Sequence, residues 1–348
     1  MAYSTINKST DYFNNVLYTG NASARTITTD MQPDMVWTKA RNAAHHGIIT
    51  DATTGAGKRL RTSVTNAQDT NGSSVASFIS TGYTLTDNAT INGNGETNVS
   101  WSWKGGGGQG SSNTDGTINT TYTSANTTSG FSISQYTGTG SAATIGHGLG
   151  VIPKMIIVKR LNSTSQWSVY HESVGNTKHV ILNSTAVQVT SSAYWNDTSP
   201  TASVFSIGSG TDVNASGGTY VAYCWAQKTG FSAFGKYLGN YQDNGPFVYT
   251  GIKPKFILIR QYNDTGQWRL YDTKREIHGQ GDLLKYLAAE SSATEVTTTD
   301  GGLDILSNGF KIRSSGGNHD LNGNQDPYLY MAFGQTLVSS NNVPTTAR

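Results

Sequence analysis

The chain has 348 residues, of which only 13% are Asp, Glu, Lys or Arg, and its formal net charge is +2. A near-neutral balance with scattered basic residues provides no field that would gather nucleic acid or insert into an anionic membrane. Gly, Ser, Thr and Asn fill the charge deficit; they are poor helix formers and good turn formers, which argues against a helical bundle and for many short strands.

Residues 1–14 are polar, without periodicity, and read as an N-terminal arm. A first module, 15–104, opens on a Tyr-containing strand at Asn15–Gly20. Pro33-Asp34-Met35-Val36-Trp37 then leads into a second strand, followed by candidates at Gly47–Asp51 and Lys58–Leu60. A hairpin is expected over Phe78–Leu85, and the module closes on Val99-Ser100-Trp101-Ser102-Trp103. Residues 105–130 are mostly Gly, Ser, Thr and Asn and predict an extended or mobile linker. The second module, 131–228, has the same order: Ile133–Gly138, Ile152-Pro153-Lys154-Met155-Ile156-Ile157-Val158-Lys159-Arg160, Gln166–His171, Lys178–Leu182, and finally Tyr220–Trp225.

A short boundary carrying Phe231 and Phe234 leads to the third module, 234–335, and predicts that modules two and three pack more closely than one and two. Its elements are Lys236–Asn240, Lys253-Pro254-Lys255-Phe256-Ile257-Leu258-Ile259-Arg260, Gln267–Asp272, Lys285–Leu287, a hairpin turning at Asn308-Gly309, and Tyr328–Phe333. Asp282–Glu290 has good helix formers, but its place in the frame matches strands elsewhere, so strand is expected. Residues 336–348 read as a C-terminal tail. The threefold frame predicts an all-β chain of three consecutive β-sandwich (jelly-roll-like) modules related by internal repeat. Each proline-led run is apolar at successive positions, as a strand covered on both faces would be.

No motif for chemistry survives comparison with its bland alternative. Gly105–Gly110 contains G-x-G-x-x-G, but Ser111–Gly116 cannot supply the helix that a dinucleotide site needs. Gly55-Ala56-Gly57-Lys58 lacks the rest of a phosphate loop. His45 and His46 are adjacent, so on a strand they face opposite ways and cannot share a metal ion; His171, Glu172 and His179 form only a loose cluster. Glu172, Glu276, Glu290, Glu295 and Asp304 show no setting that marks a glycosidase pair, and no G-x-S-x-G elbow is present. Cys224, the one cysteine, sits in an apolar run and reads as a buried, inert thiol. No apolar run approaches the roughly 18 residues of a membrane-spanning helix, and Met1–Thr5 does not open a signal peptide. Most tryptophans fall in the strand frame and are expected in the core. Trp195 does not: Tyr194, Trp195, Asn196 and Asp197 lie in a Ser/Thr-rich stretch, where an exposed aromatic would suit a glycan or a neighbouring subunit.

The stretches Asn113-Thr114-Asp115-Gly116-Thr117-Ile118, Ser124–Ile133, Tyr136-Thr137-Gly138-Thr139-Gly140 and Ile145-Gly146-His147-Gly148-Leu149-Gly150-Val151-Ile152-Pro153-Lys154-Met155-Ile156-Ile157-Val158-Lys159 resemble a repeat common in structural proteins of marine tailed phages. Pro33–Lys104 is similar to that family's opening module and Tyr328–Phe333 to its closing strand, so the resemblance spans about 15–335. It implies a virion component of a family that assigns no catalytic residues; with no acid–base pair or metal constellation among its motifs, the chain is expected to be non-enzymatic and without a cofactor. The expected role is a tail fibre or adhesin, with capsid decoration as the alternative and a polysaccharide depolymerase as a third reading. The expected partners are other copies in a homo-oligomer, a trimer, together with other virion proteins and a host surface glycan.

Overall fold

The proline-led runs become strands covered on both faces. In the computed structural model, which describes residues 4–70, 75–87, 89–275, 285–298, 301–314 and 319–338, Met155–Arg160 sits in the middle of a large antiparallel sheet. Its side chains alternate: Met155 and Ile157 enter one apolar cluster, while Ile156 and Val158 enter another on the opposite face. Met35/Trp37 and Val36 divide in the same way, as do Phe256/Leu258 and Ile257/Ile259. The strand period of two therefore places consecutive apolar residues in two different cores.

Three large sheets share one strand order. In module one it is Phe13–Thr19, Thr97–Trp103, Met35–Ala40, Ile48–Asp51, Leu60–Arg61. In module two Phe131–Thr137, Thr219–Trp225, Met155–Arg160, Ser168–His171, Lys178–Ile181 and Val189–Thr190 follow the same path. Module three repeats it with Ser232–Leu238, Pro327–Thr336, Ile252–Gln261, Arg269–Asp272, Lys285–Ala288 and Val296–Thr297. Lys285–Ala288 is thus strand, as the frame predicts; Asp282–Leu284 lie outside the described residues. A small sheet covers the outer face of each large one: Arg25–Thr28 with Gly82–Leu85 and Val75–Ile79, Ala143–Gly146 with Val204–Ile207, and Phe247–Tyr249 with Gly309–Ile312 and Leu303–Leu306. The chain is all-β in a sandwich-like arrangement.

The inner faces of all three large sheets meet in one core. Trp103, Trp225 and Phe333, the final aromatic of each module, come together there: the Trp103 ring lies 6.2 Å from Trp225 and 5.7 Å from Phe333. Phe13 and Trp101 extend the contact to Phe256, at 5.8 and 5.6 Å. Module one therefore meets module two directly, through Trp103 and Trp225, as well as module three, rather than hanging from the glycine-rich boundary.

Two more expectations change. Residues 105–130 are no free tether: Tyr122–Asn126 adds an edge strand to the module-two sheet beside Phe131–Thr137. The glycine run is held by the Asp34 carboxylate, which accepts the backbone N–H groups of Gly105, Gly107 and Gly108 at 2.7, 3.1 and 2.6 Å. Composition suggested mobility because the anion that orders the loop lies far away in sequence. Nor is the described part of the arm detached: Ile6 is buried in the central core, and a 3₁₀ turn at Ser9–Asp11 leads directly into the first strand.

Each module is locked internally by the same polar device. Tyr18, Tyr136 and Tyr237 donate their hydroxyl hydrogen to the carbonyls of Ile91, Val213 and Leu321. The next residue in each case is a buried asparagine. Asn92, Asn214 and Asn322 each donate to two carbonyls and accept one backbone N–H, so three loops are tied to one side chain with its hydrogen-bonding capacity well used.

Candidate functional site

Buried ionisable groups are the first places to look for chemistry, and here they join modules. Lys39, Lys159 and Arg260 hold equivalent positions, four residues past Met35, Met155 and Phe256, and are fully buried. Lys39 Nζ donates to Ser291 O of module three at 2.6 Å, Lys159 Nζ to Thr65 O of module one at 3.0 Å, and Arg260 Nη2 to Ala186 O of module two. Each module thus reaches into another and the set closes in a ring. Burial lowers both lysines to a pKa of about 8 and Arg260 to about 10, since desolvation penalises the charged form.

Asp51, His171 and Asp272 form a second ring in the opposite sense. Asp51 accepts the Tyr223 hydroxyl at 2.8 Å, His171 Nε2 meets Tyr330 O at 3.1 Å, and Asp272 accepts from Trp101 Nε1 at 3.2 Å. Burial pushes the Asp51 carboxyl up and the His171 imidazole down to about 4, so this histidine is neutral at pH 7. These side chains are committed to holding modules together.

The residues singled out from sequence divide. Trp195 is 1% exposed, not at the surface as its polar neighbours suggested. It ends a four-residue helix, Ser192–Trp195, and its ring meets Tyr170 edge-on at 5.8 Å within module two's outer core. Tyr194 is half-buried, stacked on His179 at 3.4 Å, with its hydroxyl on Asp212. Asn196 and Asp197 are exposed at positive φ, 51° and 48°, where the chain leaves the helix. The helix turns the tryptophan inwards, leaving only the two polar residues outside.

The other candidates are accounted for locally. His45 meets Glu96 and His46 meets Ser63, so the two rings part. Glu172 pairs with Lys154, Glu295 with Arg41 and Arg275, Asp304 with Arg313, and Glu290 accepts the Trp268 N–H. Glu276 lies outside the described residues. Among the described residues no group of three metal-ligating side chains occurs. Cys224 is buried and its thiol pushed far up by desolvation. The G-x-G-x-x-G loop is an anion-binding nest, but its anion is the chain's own Asp34.

Two surface features remain. On module three Leu238, Phe247 and Tyr249 are 49%, 46% and 59% exposed. Strand register places Leu238 opposite Pro327 where module one has Thr19 and module two Thr137; likewise Phe247 stands where those modules have Thr26 and Thr144. Phe247 and Tyr249, two apart on one strand, thus turn two aromatic rings outward where module one has Thr26 and Thr28. The other feature is a pair of clefts of about 540 and 320 Å³ that share Asp30 and flank the segment Thr10–Asn15. Lys104 lines the larger; Lys255 and Lys274 line the smaller. Sequence reading missed both, because each depends on which strands end side by side.

These features define an all-β protein of three sandwiches around one shared core, carrying a lysine-lined cleft and an exposed aromatic pair. The chain belongs to the family described as a domain of unknown function, DUF7483, whose model matches residues 8–336. No curated protein and no solved structure matches it.

Proposed function

We propose that the chain is a non-enzymatic structural protein of a phage particle, acting at the particle surface as a tail fibre or adhesin. The resemblance of residues 113–159 to marine phage structural repeats motivates the setting. The observation that carries the attachment role is the pair Phe247 and Tyr249, exposed on one strand of module three where module one has Thr26 and Thr28. Large apolar side chains held outward on a sheet mark interaction surfaces rather than packing. Capsid decoration is the second reading. It is favoured by the ordered 105–130 segment and the buried Ile6, which make one body of three modules rather than a docking module on a tether. In either reading the expected assembly is a homotrimer, whose contacts lie outside the inner faces because those already cover one another within one chain. Locating the protein's density in the whole virion decides: density at the tail tip supports the adhesin, and a copy at every lattice point of the shell replaces it with decoration.

A further inference from the structure

The cleft beside the N-terminal segment holds positive charge that the rest of the fold neutralises elsewhere. The residue before Met35, Met155 and Phe256 has a counterpart across the sheet, joined through a backbone hydrogen bond: Ala52 N to Asp34 O, Glu172 N to Lys154 O, and Thr273 N to Lys255 O. In module one the position is Asp34, which binds the glycine loop. In module two it is Lys154, whose ammonium is paired with the Glu172 carboxylate. In module three a lysine is kept, but threonine stands where the glutamate would be, and Lys274 follows it. Lys255 also lies at a β-bulge, where the register slips between Pro254 and Phe256; bulges redirect side chains and recur beside functional sites. Its ammonium donates to the Ser9 hydroxyl at 3.0 Å, and no ion pair is formed by Lys255 or Lys274 among the described residues. Burial lowers the Lys255 pKa, and neighbouring Lys274 lowers it further.

We infer that this cleft binds an anionic saccharide unit, its carboxylate or sulfate group seated between Lys255 and Lys274 in the place that Glu172 occupies in module two. The adjoining cavity takes the rest of the ligand. Both volumes fall within the range of small-ligand sites, roughly 300–1,000 Å³. The lining suits a polyol: Thr10, Thr273, Gln32 and Ser80 offer hydroxyl and amide groups. Lys104 stands over the Tyr12 ring at 6.0 Å at the far end. Two carboxylates border the site. Asp11 is paired with Lys8, leaving Asp30, exposed on the shared wall, against three lysines. The saccharide class rests on the attachment reading above; the anion site rests on the lysines alone.

The test is calorimetric titration of the full chain at low salt with four probes: a uronate tetrasaccharide, a sulfated tetrasaccharide, a neutral tetrasaccharide and inorganic sulfate. Either or both acidic sugars are expected to bind at least tenfold more tightly than the neutral sugar and the free ion, and to weaken as salt rises. Thr273→Glu, which restores module two's ion pair, is expected to abolish this binding while leaving the thermal midpoint unchanged or higher. Lys255→Met with Lys274→Gln should lower affinity at least tenfold, and Lys154→Gln should leave it unchanged. Equal affinity for sulfate and the acidic sugars overturns the saccharide assignment. No binding by any probe, or full binding by a folded Thr273→Glu variant, overturns the site. Virion density decides the attachment reading separately.

Discussion

The central strands of the three large sheets are covered on both faces, yet the two faces do different work. The outer face of each sheet meets only its own module, through a small sheet, a tyrosine–carbonyl bond and a buried asparagine. The inner face meets the other two modules, through Trp103, Trp225, Phe333 and the ring of Lys39, Lys159 and Arg260. Burial alone does not separate the two faces. What separates them is the sequence distance to the partner, and with it the reach of a perturbation: an outer defect is local, whereas an inner one is shared by three sheets.

The strongest test is Trp103→Ala. Truncating a buried tryptophan costs about 3–5 kcal/mol, and here the cavity opens against module two and module three together. Chemical denaturation followed by tyrosine and tryptophan signals should show all three modules destabilised. A loss confined to module one would show that the inner face does not couple them.

Next in size is Lys159→Met. It leaves the carbonyls of Thr65 and Ser165 without their ammonium donor, and a buried acceptor deprived of its partner costs about 1–3 kcal/mol. The expected loss appears as a lower urea midpoint at pH 7. A midpoint equal to wild type would mean that relief of the buried charge offsets the lost bonds.

The same lysines give the inner face a pH signature. Their folded pKa is about 8, against about 10.4 in an unfolded chain. Between these values the unfolded state binds more protons, so stability rises with pH from about 8 towards 10 and falls away as pH drops through 8. The limiting slope is about 1.4 kcal/mol per pH unit for each lysine. Buried tyrosines, with pKa values raised by desolvation, oppose the trend only above about pH 10. Urea midpoints at pH 7.5 and 9.5 check the sign, and a double Lys39→Met, Lys159→Met variant should flatten the rise.

On the outer side, Tyr18→Phe removes one bond to Ile91 O and should cost about 1 kcal/mol, visible as exchange of module-one amides alone. The smallest effect is expected at the surface pair Phe247 and Tyr249. Tyr249→Thr should change stability by no more than about 0.5 kcal/mol, although the same change should weaken attachment if the pair makes it.

Much of the fold was legible because strand patterns are local. The proline-led apolar runs, the Asn308-Gly309 turn and the closing aromatic runs each carry their signal within a few residues, and all became strands or a hairpin. The buried asparagines had a signal too, in Ile91-Asn92, Val213-Asn214 and Leu321-Asn322, each an apolar residue before an asparagine ahead of the last strand. The frame would have shown it had polar positions been aligned as closely as apolar ones.

What the sequence by itself determined was the strand frame, the two-faced burial of its central strands and the separation into three modules. What only the tertiary structure decided was which faces meet. A lysine or arginine ending an apolar run reads as a solvated strand end until Ser291, Thr65 or Ala186 arrives from another module to bond it. A glycine run reads as mobile until Asp34 fills it, and Trp195 reads as exposed until a single helical turn rotates it inwards. The cleft exists only because Lys255, Lys274 and the N-terminal segment end at one place. The reason is physical: secondary structure is set by interactions a few residues apart, whereas desolvation and charge compensation depend on partners tens to hundreds of residues away.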